Sequence, residues 1–168
     1  KIYEYDPQTD SWTLKNTLNQ ARKSASSVLY DGKIYIAGGY YGESNLDTVE
    51  TYDPLTNSVA QKNDLPVEIY DHYSCVLNDK MYIFDSDNNC LLYNTSTDSW
   101  QSITPGGDLY GNLFVVVNGC LYSFISTIFA CPQINKYLPA DNLWTYYMTF
   151  NFYGYVDQLV EANNKIYI

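Results

Sequence analysis

The sequence predicts an all-β protein built from tandem repeats of four short antiparallel strands. In its 168 residues a tyrosine stands seven positions before an aromatic or apolar residue four times, at Tyr5/Trp12, Tyr52/Val59, Tyr93/Trp100 and Tyr137/Trp144. Successive tyrosines are 47, 41 and 44 residues apart, and a period in the forties is typical of a repeat architecture. No stretch carries an apolar stripe at helical spacing, which favours strands throughout.

A second motif recurs in step with the tyrosines and predicts four tight hairpins. Each copy is a pair of residues that tolerates the positive φ of a type I′ turn, set between two β-rich runs. The pairs are Asp31-Gly32, Asn78-Asp79, Asn118-Gly119 and Asn163-Asn164. The strands predicted before the turns span 25–30, 73–77, 113–117 and 156–162, and those after them span 34–37, 81–84, 121–125 and 166–168.

The strand that ends at each tyrosine is predicted to be buried on both faces. The residue three positions earlier is Ile2, Val49, Cys90 or Ile134, and an offset of three places the two side chains on opposite faces of a strand. A four-stranded sheet covered on both sides by its neighbours has the geometry of a β-propeller blade, which also protects most sheet edges.

The residues that carry these motifs resemble the kelch repeat. The resemblance spans essentially the whole chain and is strongest in 22–54, with Arg22, the run 31–39 ending in a double glycine, and the run 49–54. Trp12 and Trp100 stand in the strand that follows the tyrosine. Kelch blades have strands A (innermost) to D (outermost), so the resemblance implies that the double glycine ends strand B, the tyrosine lies in C and the tryptophan in D.

This assignment divides the chain into parts of five blades. Residues 1–18 supply strands C and D of one blade, 19–65, 66–105 and 106–149 form complete blades, and 150–168 supply strand A and part of B of another. Because the chain opens inside a C strand and stops inside a B strand, we expect a partial propeller from a larger ring. A small closed ring of four blades is the alternative.

Composition bounds the partners. Nine basic and nineteen acidic residues give a net charge of −10, which opposes nucleic-acid binding because no basic stripe is available for phosphates. The uncharged run 113–131 approaches the length of a membrane span, but Asn118-Gly119 interrupts it as a hairpin, so no membrane segment is expected. The four cysteines lack Cys-x-x-Cys spacing, which favours free buried thiols in a cytoplasmic protein without zinc, disulfides or another cofactor.

Catalytic groupings are scarce. His72 is the one histidine, so neither a multi-histidine metal site nor an obvious triad can be built, and it is better suited to a loop or a partner contact. The carboxylates of Glu43, Asp47, Glu68 and Asp87 fall in separate connections. We therefore predict a protein that is not an enzyme.

Binding is expected on the B-to-C and D-to-A connections, which emerge on one rim of a propeller blade. Their exposed aromatic, carboxylate and amide side chains suit a protein or peptide ligand. The candidate residues are Tyr40, Tyr41, Glu43, Asn45, Glu68, Tyr70, His72, Asp87, Asn88, Asp108, Tyr110, Phe152 and Tyr153. The alternative for Tyr40, Tyr110 and Phe152 is that they fold back onto neighbouring blades.

The best-formed repeat looks like those of BTB-kelch proteins. That resemblance implies the substrate-recognition part of an adaptor for a cullin-RING ubiquitin ligase. The ligase would engage the adaptor through an N-terminal module outside this chain. Two alternatives stay open. One is a kelch scaffold that binds actin, and the other is a kelch-fold enzyme whose catalytic residues lie in other blades.

Overall fold

The computed structural model describes residues 1–85, 89–103, 113–127, 130–151, 156 and 158–168. These residues contain β-strands and no helix, which confirms the all-β prediction. The strands are β1 (Ile2–Asp6), β2 (Ser11–Asn16), β3 (Ser26–Tyr30), β4 (Lys33–Ala37), β5 (Tyr40–Tyr41), β6 (Ser44–Asn45), β7 (Val49–Asp53), β8 (Ser58–Lys62), β9 (Tyr73–Leu77), β10 (Lys80–Phe84), β11 (Cys90–Asn94), β12 (Ser99–Ser102), β13 (Leu113–Val117), β14 (Cys120–Thr127), β15 (Ala130–Leu138), β16 (Leu143–Thr149), β17 (Val160–Ala162) and β18 (Lys165–Tyr167).

The chain forms two compact units. Unit 1 comprises Lys1–Asp71 and Thr95–Trp100, and unit 2 comprises His72–Asn94 and Gln101–Ile168. Four-stranded antiparallel sheets have the orders β3-β4-β7-β8, β9-β10-β11-β12 and β13-β14-β15-β16, while β1-β2 and β17-β18 are two-stranded. This arrangement is consistent with a partial kelch propeller. The predicted blade boundaries remain a prediction.

The four predicted hairpin turns are confirmed by their backbone. Both central residues of every turn have positive φ, for example 48° at Asp31 and 72° at Gly32. The same left-handed conformation occurs in the Asn163-Asn164 turn, at 52° and 60°. Asn tolerates this region because its short side chain bonds locally. The strand before that turn starts at Val160 rather than at the predicted residue 156.

The recurring tyrosine locks the turn between strands C and D. The Tyr52 hydroxyl donates to Asn57 Oδ1 at 3.1 Å, and the Tyr137 hydroxyl donates to Asn142 Oδ1 at 2.7 Å. The acceptor has positive φ in both copies, so the side chain that tolerates the turn geometry also binds the tyrosine. Tyr5 and Asp10 repeat the bond at 2.8 Å. The recurring tyrosine therefore marks both the C strand and the turn that follows it.

The C strands β7, β11 and β15 are buried on both faces, as predicted, whereas the prediction is wrong for β1, in which Tyr5 is 43% exposed. Val49 and Tyr52 in β7 are buried, and so are Cys90 and Tyr93 in β11. In unit 2 an apolar cluster of buried residues joins the sheet β9–β12 to the sheet β13–β16 through aromatic rings. Trp144 lies 5.7 Å from Phe84 and 5.2 Å from Tyr137, centroid to centroid.

The tryptophans differ in burial. Trp144 is only 4% exposed, whereas Trp12 in the corresponding strand is 68% exposed. Trp100 is half-buried, between these two. It lies on β12, the outermost strand of its sheet. Side chains on an outer strand are shielded from solvent only where another element covers them.

Replacement of Trp144 by alanine should lower the free energy of unfolding by about 3–5 kcal/mol, because it removes a buried ring from an aromatic cluster. The matched control is Trp12→Ala, whose exposed ring should cost about 0.5 kcal/mol or less. Urea unfolding followed by circular dichroism measures both. Equal losses would show that Trp144 does not support the core.

Candidate functional site

The connection between β4 and β7 folds into a small hairpin that the sequence did not predict. Tyr40 pairs with Asn45, and Tyr41 pairs with Ser44. Gly42 lies at the tip with φ of 65°. The Tyr41 side chain is 57% exposed. The Tyr40 ring is half-buried beneath the ammonium of Lys23, whose Nζ lies 5.0 Å from the ring centroid.

Backbone hydrogen bonds join this hairpin to two D-to-A connections. Lys23 and Tyr40 exchange both backbone bonds, at 3.0 and 2.8 Å. On the other side Gly39 N donates to Ile69 O at 2.8 Å, and Ile69 N donates to Leu46 O at 3.1 Å. We call residues 19–25, 38–48 and 63–71 together the unit 1 rim. Three segments distant in sequence thus form one braced surface.

Ile69 sets the direction of its neighbours in the rim. Its side chain is 2% exposed, while Glu68 and Tyr70 are exposed on either side of it. Successive side chains of an extended segment point to opposite sides, so a buried Ile69 turns both neighbours outward. Tyr70 remains 49% exposed as a result.

Two equivalent residues of successive repeats meet at the inner edge of the rim. Ser24 and Asp71 are 47 residues apart, which is the spacing of the first two hairpin turns. Both have positive φ, and Asp71 N donates to Ser24 O at 3.1 Å. The repeat is therefore visible in the backbone even where its side chains differ.

A buried ion pair lies beneath the rim. Arg22 Nη2 donates to Glu50 Oε1 at 2.8 Å, and the two side chains are 2% and 3% exposed. Arg22 Nη1 also donates to the carbonyl oxygens of Gly38 and Thr48 at 2.7 and 2.8 Å. These two carbonyls flank the β5–β6 hairpin, so the guanidinium holds both of its ends.

Glu50 fixes the remaining segment of the rim. Its Oε2 accepts a hydrogen bond from Asn19 N at 2.7 Å, and its Oε1 accepts one from Gln20 N at 3.0 Å. A buried charge is tolerated only when it is paired and hydrogen-bonded, and both conditions hold for this carboxylate. Arg22 and Glu50 together connect the first D-to-A connection to the B-to-C hairpin.

The next repeat replaces this charged pair with apolar residues. By the repeat spacings of 47 and 41 residues, Ile69 corresponds to Arg22 and Leu91 to Glu50. Both are buried. The charged pair is therefore not repeated at the corresponding positions of the next repeat.

The structure brings six of the predicted site residues together. Tyr40, Tyr41 and Asn45 lie in the β5–β6 hairpin, Glu43 lies in its turn, and Glu68 and Tyr70 lie in the adjoining connection. Tyr40 is half-buried, and its ring contacts Lys23 of the same predicted blade. His72 belongs to unit 2 and is half-buried. Asp87, Asn88, Asp108, Tyr110, Phe152 and Tyr153 fall outside the described residues. A binding role for any of these residues remains a prediction.

The sequence did not reveal the buried carboxylates. Glu50 and Asp85, neither of which was a candidate from the sequence, are both buried. Asp85 Oδ1 accepts a hydrogen bond from Asn89 N at 2.8 Å, so it joins the residue after β10 to the residue before β11. The signal for Glu50 was present, since it occupies a strand predicted to be buried on both faces.

A cavity of about 380 Å³ lies apart from the predicted residues. Ile2 and Tyr3 of β1 line one side, and Ile34 and Ile36 of β4 line another. None of the described candidate residues lines this cavity, although residues 22–25 of the unit 1 rim do. It does not support the predicted binding surface.

The described residues offer little reactive chemistry. Burial raises the pKa of Cys75 to about 12 and raises the pKa of Cys90 further above its ordinary value, so both thiols stay protonated at neutral pH. The described ranges contain no group of three or more His, Cys, Asp or Glu that could hold a metal ion. In the same ranges no helix has the length and apolarity needed to span a membrane.

Comparison with known proteins identifies a kelch motif in the chain. The sequence profile of the kelch motif matches residues 21–66, the region that contains Arg22, Glu50 and the double glycine. Residues 21–66 therefore form a kelch repeat, and the chain resembles the kelch domains of kelch-like proteins. Human kelch-like protein 33 is 34% identical over 79 residues, which cover 47% of this domain and 15% of that protein.

Two further relatives have other names. Spermatocyte protein spe-26 of Caenorhabditis elegans is 35% identical over 74 residues, covering 44% of the kelch domain and 13% of the relative. F-box/kelch-repeat protein At2g29600 of Arabidopsis thaliana is 26% identical over 178 residues, covering 98% and 41%. The kelch domain therefore spans less than half the length of each of these relatives.

Replacing either member of the buried ion pair should destabilise the kelch domain by about 3–5 kcal/mol, because the partner charge is left uncompensated. In a double-mutant cycle with Arg22→Met and Glu50→Leu, the paired variant should recover about 1–3 kcal/mol relative to the sum of the single losses. The exposed pair Lys15–Glu4, in a parallel cycle, should show coupling of about 0.5 kcal/mol or less. Urea unfolding gives the energies, and strict additivity of the buried pair would refute the bracing role.

Gly39→Ala should disturb the rim more than Gly42→Ala. Both glycines have positive φ, but a Cβ on Gly39 would lie 2.7 Å from Lys23 O, whereas a Cβ on Gly42 meets open space. The added clash should cost about 1–3 kcal/mol beyond the backbone strain that both variants share. Unfolding curves give the difference, and amide exchange at Tyr40 reports rim opening. Equal effects would show that the close approach to Lys23 is not constraining.

Proposed function

We propose that this kelch domain recognises a protein segment through the unit 1 rim. Kelch-like relatives and the kelch motif support a protein-interaction domain. The observation that carries the proposal is the pair of exposed tyrosines, Tyr41 and Tyr70, at 57% and 49% exposure on backbone-braced connections. Aromatic side chains at a polar surface are the usual anchors of protein interfaces.

The bracing of the rim favours binding. Backbone bonds from Lys23, Gly39 and Ile69 fix the connections, and Arg22 holds the two carbonyls that flank the hairpin. A surface that is ordered before binding loses less conformational entropy when the ligand arrives. The same braces leave Tyr41 and Tyr70 pointing away from the core.

We further propose that the domain is the substrate-recognition part of a cytoplasmic adaptor for a cullin-RING ubiquitin ligase. The similarity to kelch-like proteins supports this role. The ligase would be engaged by another region of the protein, and the rim would carry the substrate. Binding to actin would instead assign the domain to a cytoskeletal scaffold.

Proximity labelling in cells, with the protein in its natural sequence context, tests both the recognition of a protein segment by the rim and the adaptor role. A Tyr41→Ala/Tyr70→Ala variant should lose a subset of labelled partners, because it removes the two exposed anchors. Cullin-RING subunits should appear with the wild-type protein and persist with the variant, since they contact a different region.

A matched control removes two other exposed tyrosines. Tyr146 and Tyr167 are 64% and 52% exposed and lie on strands outside the rim. Their double alanine variant should keep the wild-type partner list. Thermal melts must first show that both variants are folded. An unchanged list for the Tyr41/Tyr70 variant would refute rim recognition, and absence of cullin-RING subunits would refute the adaptor role alone.

A further inference from the structure

We infer that the partner segment of the unit 1 rim is cationic, an extended peptide that presents arginine or lysine side chains. This inference rests on the proposed function and adds the chemistry of the ligand. It is carried by charge complementarity and by the way the rim already holds a cation of its own.

The rim carries an excess of negative charge at its surface. Its three segments contain five carboxylates, of which Glu43, Asp64, Glu68 and Asp71 are exposed and Asp47 is half-buried. Among the described residues none of the five is in an ion pair, since the three pairs are Lys15–Glu4, Arg22–Glu50 and Lys62–Asp98. Arg22 is neutralised below the surface by Glu50. Lys23 is therefore the single surface cation of the rim.

Lys23 shows how this surface binds an ammonium group. Its Nζ lies 5.0 Å from the centroid of the Tyr40 ring, within the range of a cation–π contact. Tyr40 is thereby occupied from within the chain. Tyr41 and Tyr70 remain exposed and offer further ring faces of the same kind.

Carboxylates accompany both exposed rings. Tyr70 stands two residues after Glu68 and directly before Asp71, while Tyr41 stands two residues before Glu43 in the same hairpin. A guanidinium can stack on an aromatic face while it donates to a carboxylate. A ring with a nearby carboxylate is therefore better suited to arginine than to an anionic or apolar side chain.

Long-range electrostatics act in the same direction. The net charge of −10 attracts cationic segments before contact and repels anionic ones. Phosphate-rich polymers are disfavoured by the same field. The exposed rings and the carboxylates of the rim then make binding of a cationic segment stronger at this site than the general attraction to the chain alone.

Two matched peptide pools provide the test. Biotinylated octapeptides carry arginine at positions three and six in one pool and citrulline in the other, with uncharged residues randomised elsewhere. Citrulline keeps the shape and most donors of arginine but lacks its charge. Each pool is passed over the immobilised full chain, and the retained peptides are quantified by mass spectrometry. The arginine pool should be retained about tenfold more than the citrulline pool.

Charge variants locate the effect. Glu43→Gln/Glu68→Gln should reduce retention of the arginine pool about five- to tenfold, as expected for the loss of two surface charge contacts. The control Asp31→Asn/Asp79→Asn removes the same charge from two hairpin turns in which the chain itself uses asparagine at the corresponding positions, Asn118 and Asn164. It should keep retention within about twofold of wild type.

The outcomes separate the inference from the proposed function. Equal retention of the two pools, retention of neither pool, or equal losses in both charge variants overturns the cationic ligand. The Tyr41→Ala/Tyr70→Ala variant answers the other question. If it changes the cellular partner list while the arginine pool shows no preference, the rim binds partners of different chemistry. If it changes nothing in cells, rim recognition itself fails.

Discussion

The buried Arg22–Glu50 ion pair is the constraint on which the unit 1 rim depends. The guanidinium holds the carbonyls of Gly38 and Thr48 at the two ends of the β5–β6 hairpin, and the carboxylate holds two backbone amides of the preceding connection. Removing these charges from water is costly, so each must be paired and hydrogen-bonded inside the protein. Their mutual satisfaction fixes the geometry of segments that are distant in sequence.

Repetition supplies the remaining order. Tyr5, Tyr52 and Tyr137 in the C strands each bond a turn residue five positions later, and each A–B turn has two residues in the left-handed region. At the end of the D strand, Asn16 Nδ2 donates to Asn57 O at 2.7 Å, and the equivalent Asn63 bonds Asp98 O in the same way. Hydrogen bonds within each repeat and between repeats thus hold the strands in place, so the sequences of the rim connections can differ from one repeat to the next.

Function follows from that division of roles. The strands are used for packing, so recognition falls to connections whose backbone is braced and whose side chains face solvent. In unit 1 these side chains are tyrosines and carboxylates, with one lysine bound over Tyr40. Such a surface is suited to a peptide with positive charge, whereas the buried, protonated Cys75 and Cys90 contribute to packing.

The sequence by itself determined the strands, their turns and the family, because these depend on short-range patterns. Asp31-Gly32 fixes a hairpin through its own φ values, and Tyr52 finds Asn57 only five residues away. It also placed Tyr41 and Tyr70 in exposed connections. Tertiary structure alone decided that the two connections adjoin through Gly39 and Ile69, and that Glu50 is buried against Arg22 rather than solvated. Those outcomes depend on contacts between residues about thirty positions apart, which no local pattern encodes.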